Sequence, residues 1–231
     1  MAQPQSRWLP VLLAVCIFMQ MLDATVLNTA LPQMAADLHQ SALNMQSAVV
    51  SYALTLALFM PLSGYITDRY GTKKVFAVSM GLFVFGSLLC AAAPNLPLLV
   101  FARVVQGLGG AMMVPVPRLI VLRAYDKAEL LERLNFIVMP ALLGPIVGPL
   151  VGGYLVEYAS WHWVFLINVP IGLAGIALAA KIMPDFYAAD GGKPHFDLIG
   201  FLLFGAAAVG LSLAVEMPTH PGARLFSAVC A

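Results

Sequence analysis

The stretch Leu99-Val-Phe-Ala-Arg103-Val-Val-Gln106-Gly107-Leu-Gly109-Gly110-Ala-Met-Met-Val-Pro115-Val-Pro117 decides the class of this protein. It belongs to an apolar run over 96–117 that is far too long for a strand. At 1.5 Å per residue it is long enough to cross roughly 30 Å of hydrocarbon. One arginine stands inside it. Arg103, Gln106, Gly110 and Pro117 fall at i, i+3, i+7 and i+14, which is one stripe of a helix, and Gly107 flanks the stripe. A polar stripe with glycine gaps on an otherwise apolar helix reads as the wall of a cavity.

Six more stretches of the same kind lie near 8–31, 45–66, 75–93, 134–156, 161–182 and 198–216. Their even hydrophobicity, with Gly and Pro inside, suits membrane helices. An eighth begins near Leu225 and is interrupted at Ala231. Composition agrees. Of 231 residues, 61% are apolar and 10% charged, and the mean hydropathy is +0.90. A soluble domain carries about 25% charged residues. These values exclude an ordinary soluble enzyme and a disordered chain. A net charge of +1 argues against a nucleic-acid partner. The expected class is all-α and polytopic, with the lipid bilayer as its main partner.

Basic residues alternate between connections. Arg7 precedes the first span. Arg69, Lys73 and Lys74 follow the second, Arg118, Arg123, Lys127 and Arg133 the fourth, and Lys181 and Lys193 the sixth. The connections after spans 1, 3 and 5 have none, and Arg224 alone follows the seventh. The positive-inside rule then places the N-terminus in the cytoplasm. The first run follows Arg7 as a signal peptide would, but it contains Asp23, lacks a clear cleavage site and is followed by more spans. It is expected to stay. Cys16, Cys90 and Cys230 sit in apolar runs, and His39, His162, His195 and His220 are scattered. Neither set has metal-ligand or disulfide spacing.

Asp23 and Arg103 are the ionisable residues deepest in the spans. Each costs on the order of 2.5–3.5 kcal/mol at a helix centre, so each is expected to face a cavity or a partner. A structural charge pair is the plainer alternative. Gln20 and Asp23, three apart, share a face. A carboxyl group in such a place can be kept protonated by desolvation and ionised by a nearby cation, which suits proton coupling. Met19, Gln20 and Tyr52 are candidate substrate contacts. In the fifth span Gly144, Gly148 and Gly152 recur every fourth residue, a row that permits close backbone contact. Pro145 and Pro149 each remove a backbone donor and promote bends. Packing alone explains the glycines equally well. After the second span comes Gly64-Tyr-Ile-Thr-Asp68-Arg69-Tyr-Gly71-Thr-Lys73-Lys74, an acid beside an arginine with glycines at fixed offsets. Gly71 suits a tight turn. Asp68 is free to pair locally or to sit at another helix's N-terminal end.

Four motifs, in order and in the matching spans, make the chain resemble the major facilitator superfamily, in particular its 14-span drug:proton antiporters. They are Leu22-Asp23-Ala-Thr25-Val-Leu-Asn28-Thr-Ala30-Leu31-Pro32, the Gly64–Lys74 loop, the Leu99–Ala111 stripe and Gly144-Pro-Ile-Val-Gly148-Pro149-Leu-Val-Gly152-Gly153. Trp161-His-Trp163-Val-Phe165-Leu-Ile-Asn168-Val-Pro170 favours the 14-span branch.

The resemblance implies a six-helix bundle over 1–183, a cytoplasmic linker over 184–197, an additional membrane helix over 198–217, and an outer loop with the start of a span over 218–231. It implies a proton-driven exporter of amphipathic compounds in a bacterial inner membrane, with a proton gradient and no cofactor or metal. Asp23 and Arg103 would couple protons. Asn28, Gln106 and Gly110 join Met19, Gln20 and Tyr52 in the cavity. Gly64, Asp68, Arg69, Gly71, Lys73 and Lys74 would form the cytoplasmic gate. Gly144, Gly148, Pro149, Gly152 and Gly153 would form the antiporter bend. Thr72 stands where a third basic residue is frequent, which is expected to loosen the loop's charge network, and His162 replaces a common arginine. The family fold pairs two six-helix bundles around a midplane site, so the chain is expected to be truncated and to need a C-terminal half. A non-transporting fragment and a small-metabolite uptake carrier are the competing readings. No H-E-x-x-H, G-x-S-x-G or P-loop pattern suggests an enzyme.

Overall fold

The computed structural model of the chain describes residues 6–187 and 196–216, with side chains to 210. Lys193, His195, His220, Arg224 and Cys230, and the eighth apolar stretch, lie outside the described residues. Among the described residues ten helices follow one another: α1 (Leu9–Asp37), α2 (Ala42–Phe59), α3 (Leu62–Tyr70), α4 (Thr72–Ala91), α5 (Leu96–Met113), α6 (Pro115–Ala124), α7 (Lys127–Tyr158), α8 (His162–Leu166), α9 (Asn168–Ile182) and α10 (Leu198–Glu216). Among the described residues there is no strand. Helices α1 to α9 belong to one compact unit and α10 to another. Among the described residues six segments are long and apolar enough to cross a membrane, counting α5 with α6 and α8 with α9 as one each. The seventh expected stretch forms α10, a helix of 19 residues with the expected limits.

The helices extend beyond the apolar limits read from the sequence. α1 continues past Pro32 to Asp37, because one proline deletes a single backbone bond and the rest of the ladder holds. Arg118 and Arg123 lie on α6 rather than in a loop, and Lys127 and Arg133 lie in the first turns of α7. Charged residues end the hydrophobic segment without ending the helix. Side chains cap three starts: Ser41 Oγ accepts from Asn44 N–H at 3.1 Å, Asn95 Oδ1 from Leu98 N–H at 3.0 Å and Asp197 Oδ1 from Gly200 N–H at 2.8 Å. Prolines explain the interruptions. Pro61 separates α2 from α3, and Pro115 follows the break at Val114. Pro117 has no N–H for the carbonyl of Met113 four residues back. Cys16 Sγ donates to that carbonyl at 3.7 Å instead.

Within the first unit α1 packs on α7, α4 on α5, α2 on α5, and α4 on α9. Two apolar cores result. One gathers Leu9, Leu13, Ile17, Phe76, Phe83, Met113, Ile120 and Met183. The other gathers Val26, Met34, Met45, Cys90, Leu99, Ala102, Trp161 and Phe165. Helices α1, α2, α4 and α5 contribute buried residues to both, and Asp23, Ser87, Arg103, Gln106 and Asn168 fall at the crossing between them.

Candidate functional site

Asp23 on α1 lies at that crossing with 2% of its surface exposed, and Arg103 on α5 with 1%. Arg103 Nη1 donates to Asp23 Oδ2 at 2.8 Å and to Gln106 Oε1 at 2.6 Å, and its Nε reaches the Ala48 carbonyl of α2 at 3.3 Å. The guanidinium lies 3.9 Å from the centroid of the Tyr52 ring, within cation–π range. The other carboxylate oxygen, Asp23 Oδ1, accepts from Gln106 Nε2 at 2.9 Å and from Asn168 Nδ2 at 2.8 Å. Gln106 Nε2 and Asn168 Nδ2 also reach Ser87 Oγ of α4, at 2.8 and 3.4 Å. One buried network therefore ties α1, α2, α4, α5 and α9 together around a single carboxylate. A buried charge persists when it is paired and hydrogen-bonded, and Asp23 meets both conditions.

Some polar atoms at this level are left over. Gln20 Oε1, Tyr52 Oη and Asn168 Oδ1 are buried without a hydrogen-bond partner, although Gln20 and Tyr52 approach one another. Gly110 is roofed by Tyr52 and Leu56, and a Cβ there would come within 3.1 Å of Tyr52 Oη. The stripe expected to line a cavity is closed over in this state. Met19 is buried in the first core, while Asn28 is exposed and apart from the Asp23 network.

The Gly64–Lys74 segment is almost wholly helical, with Gly71 alone between α3 and α4. Gly71 has φ +87°, a backbone region that favours glycine. A side chain there would strike Asp185 and Tyr187. Those residues belong to the chain leaving α9, which is strapped over the turn. Thr72 is fully buried. Its hydroxyl donates to the Pro184 carbonyl at 3.1 Å and accepts from Phe186 N–H at 2.9 Å, and its N–H donates to the Phe186 carbonyl at 3.0 Å. Lys73 N–H donates to Asp185 Oδ1 at 3.1 Å, and Lys73 Nζ to the Ala180 carbonyl at 2.7 Å, a cation at a helix C-terminus. Where a third basic residue would carry charge, Thr72 fastens the turn to the strap by neutral hydrogen bonds.

Asp68 pairs with Arg123 of α6 at 2.5 Å, both partly exposed, and Arg123 Nη1 also reaches the Tyr187 carbonyl at 3.4 Å. Arg69 is exposed and donates to Tyr65 Oη at 2.7 Å. That bond is the main cause holding the Arg69 guanidinium above its ordinary range. Lys74 and Arg69 both lie within 6 Å of the Tyr70 ring, at 5.9 and 5.6 Å. Gly64 borders a cleft of about 300 Å³ between α3 and the α5–α6 junction, which Arg118 and Pro115 also line.

The α7 glycines form the seam with α1. A Cβ at Gly144 would come within 2.7 Å of Met21 Cβ, and at Gly148 and Gly152 it would overlap the hydroxyls of Thr25 and Thr29. Thr25 Oγ1 donates to the Gly144 carbonyl at 3.1 Å. Gly153 has open space, and Pro149 is exposed. α7 remains one helix through Pro140, Pro145 and Pro149.

A sequence profile described as the Major Facilitator Superfamily matches residues 13–215. The chain belongs to the major facilitator superfamily. A relative from Pectobacterium atrosepticum named multidrug resistance protein MdtD is 45% identical over 94% of this chain and 46% of its own length. One from Haemophilus influenzae named transport protein HsrA is 46% identical over 88% and 43%, and an MdtD from Salmonella paratyphi B is 46% identical over 91% and 44%. The chain therefore spans a little under half the length of the curated relatives it matches. As a superfamily member it is a multi-pass membrane protein of a transporter family. Sequence reasoning did not assign two members of its central network, Ser87 and Asn168. Small polar residues are unremarkable in membrane helices, although Asn168, just after the α8–α9 break, stood inside a quoted motif.

Proposed function

We propose that this chain is the N-terminal portion of a proton-driven exporter of amphipathic drugs or metabolites in a bacterial inner membrane, with its N-terminus in the cytoplasm. The observation that supports the reading most is a carboxylate buried in the bundle interior, with one guanidinium as its charged partner. An intramembrane acid held this way is costly for packing alone and suits reversible protonation. In the cycle, Asp23 takes up a proton from the outer side and gives it up inside. Arg103 is its counter-charge in the deprotonated state. Asp68, Arg123 and the Gly71 turn act at the cytoplasmic closure, and a C-terminal half supplies the rest of the pathway. The names of the MdtD relatives favour a drug-like substrate.

The test is transport by the chain within a protein of its relatives' full length. In everted vesicles, an imposed proton gradient should drive accumulation of a fluorescent amphipathic cation, and a protonophore should abolish it. Asp23→Asn should remove the coupling. Flux that ignores the proton gradient, or coupling that survives Asp23→Asn, overturns the reading. Net flux of a small metabolite in the opposite direction would favour an uptake carrier.

A further inference from the structure

We propose that Asn168 is the residue that lets Asp23 hold a proton, by turning its side-chain amide over so that Oδ1 replaces Nδ2 against the acid. The proposal rests on reading Asp23 as a protonation site. Every group bonded to the Asp23 oxygens is a donor: Arg103 Nη1, Gln106 Nε2 and Asn168 Nδ2. This set fits a carboxylate, which only accepts. A protonated Asp23 brings a hydrogen of its own, and a buried hydroxyl without an acceptor is unfavourable. Arg103 has no acceptor. Gln106 Oε1 is already occupied by Arg103 Nη1, with Cys90 Sγ at 3.7 Å. Asn168 Oδ1 is buried and has no partner.

A half-turn of the Asn168 amide presents that oxygen to Asp23 Oδ1 and Ser87 Oγ. The hydroxyl of Ser87 can rotate from acceptor to donor. Nδ2 then takes the unpartnered place that Oδ1 held, so the number of unsatisfied atoms is unchanged. The proton comes from water on the side to which the site opens and forms one O–H bond on Asp23, and no other bond is made or broken. The ionisable groups facing Asp23 are Arg103 from α5, Tyr52 from α2 and Cys90 from α4. On α7 such groups are confined to 127–133 and 154–158, on α8 to His162, and on α9 to Lys181 at the far end. Gln20 Oε1, one turn from Asp23 on α1, is the competing acceptor.

Infrared difference spectra of the full 231-residue chain in lipid vesicles, taken between alkaline and acid medium, read both groups without requiring transport. The carboxyl band of Asp23 is identified by its loss in Asp23→Asn. The amide band of Asn168 is identified with isotope-labelled asparagine and lost in Asn168→Leu. The expected result is that both bands change with one midpoint in the unmutated chain. In Asn168→Leu the carboxyl band should move to the frequency of an unbonded acid, and in Asn168→Gln, which keeps the amide, it should return. The unmutated measurement stands even if a variant fails to fold. An Asp23 band that titrates with no amide change, or that shifts in Gln20→Leu and not in Asn168→Leu, overturns the role of Asn168 and leaves Asp23 as a protonation site. No Asp23 carboxyl band at any pH overturns both.

Discussion

Thr72 Oγ1 accepts a hydrogen bond from the backbone N–H of Phe186 at 2.9 Å, across 114 residues of chain. The same hydroxyl donates to the Pro184 carbonyl, so one small side chain holds the strap onto the turn between α3 and α4. Thr72→Val keeps the shape and removes both bonds. The two orphaned backbone groups should cost about 1–3 kcal/mol each where they stay buried. Hydrogen exchange at Phe186 is expected to rise by at least about tenfold while α4 and α9 keep their protection. Thr72→Lys should release the strap further, because a buried site has no room for the ammonium.

The Asp23–Arg103 pair has a distinct signature. Arg103→Met leaves a buried carboxylate without its cation, and removing one partner of a buried pair costs about 3–5 kcal/mol. Adding Asp23→Asn should recover a large part of that loss, since the neutral amide can still accept from Gln106 and Asn168. Thermal unfolding of the two single variants and the double variant in detergent closes the cycle. Additive losses would mean that the two side chains do not depend on one another. Arg103→Lys should also be impaired: a point charge cannot reach Asp23, Gln106 and the Ala48 carbonyl together while stacking on Tyr52.

How much of this was readable in the sequence follows from how each residue acts. Arg103 and Asp23 stand out because a charge within an apolar helix is rare and expensive, and the spacing of Gln106 on the same stripe follows from helical period alone. Helix ends were less legible. Pro32 and Arg118 look like boundaries, but the ladder of backbone bonds runs past them. Ser87, Asn168 and Thr72 are small polar residues whose importance comes from partners 80 or more residues distant, except for the Ser87–Gln106 bond. Only the crossing of α1, α4, α5 and α9 reveals Ser87 and Asn168, and only the strap over the α3–α4 turn reveals Thr72. Thr72 even read as a departure, because its role is to satisfy backbone groups of the strap rather than to carry charge.

The two kinds of glycine in the α7 motif should separate experimentally. Gly148→Ala places a methyl group against Thr25, whose hydroxyl is shared among the Met21 and Leu22 carbonyls at 3.0 Å and the Gly144 carbonyl at 3.1 Å. The seam between α1 and α7 must open or the hydroxyl must turn away, and overpacking of this sort costs about 1–3 kcal/mol. Gly153→Ala meets nothing within 4 Å and should be neutral or slightly stabilising, because alanine is the better helix former by about 1 kcal/mol. Melting temperatures of the two variants are expected to move in opposite directions or to differ by several degrees. Equal effects would show that the motif matters as a bend and not as a seam.

Asp68 and Arg123 differ from the interior pair in burial. Their side chains are 30% and 25% exposed, so solvent screens the interaction and it should add no more than about 1 kcal/mol to folding. Asp68→Asn should therefore melt close to the unmutated chain, and the small difference should vanish in high salt. The pair has a second consequence, because Arg123 also reaches the Tyr187 carbonyl of the strap. Losing the Asp68 contact frees Arg123 and loosens one end of that closure. Cysteine accessibility at position 187 in a Tyr187→Cys background should rise in Asp68→Asn with no matching loss of stability. The exchanged pair Asp68→Arg with Arg123→Asp should restore the ion pair but not the contact with the strap, since an aspartate cannot donate to the Tyr187 carbonyl. Accessibility that stays high in the exchanged pair identifies Arg123 as the link between the gate and the strap. Accessibility that returns to normal shows that the ion pair alone keeps the closure shut.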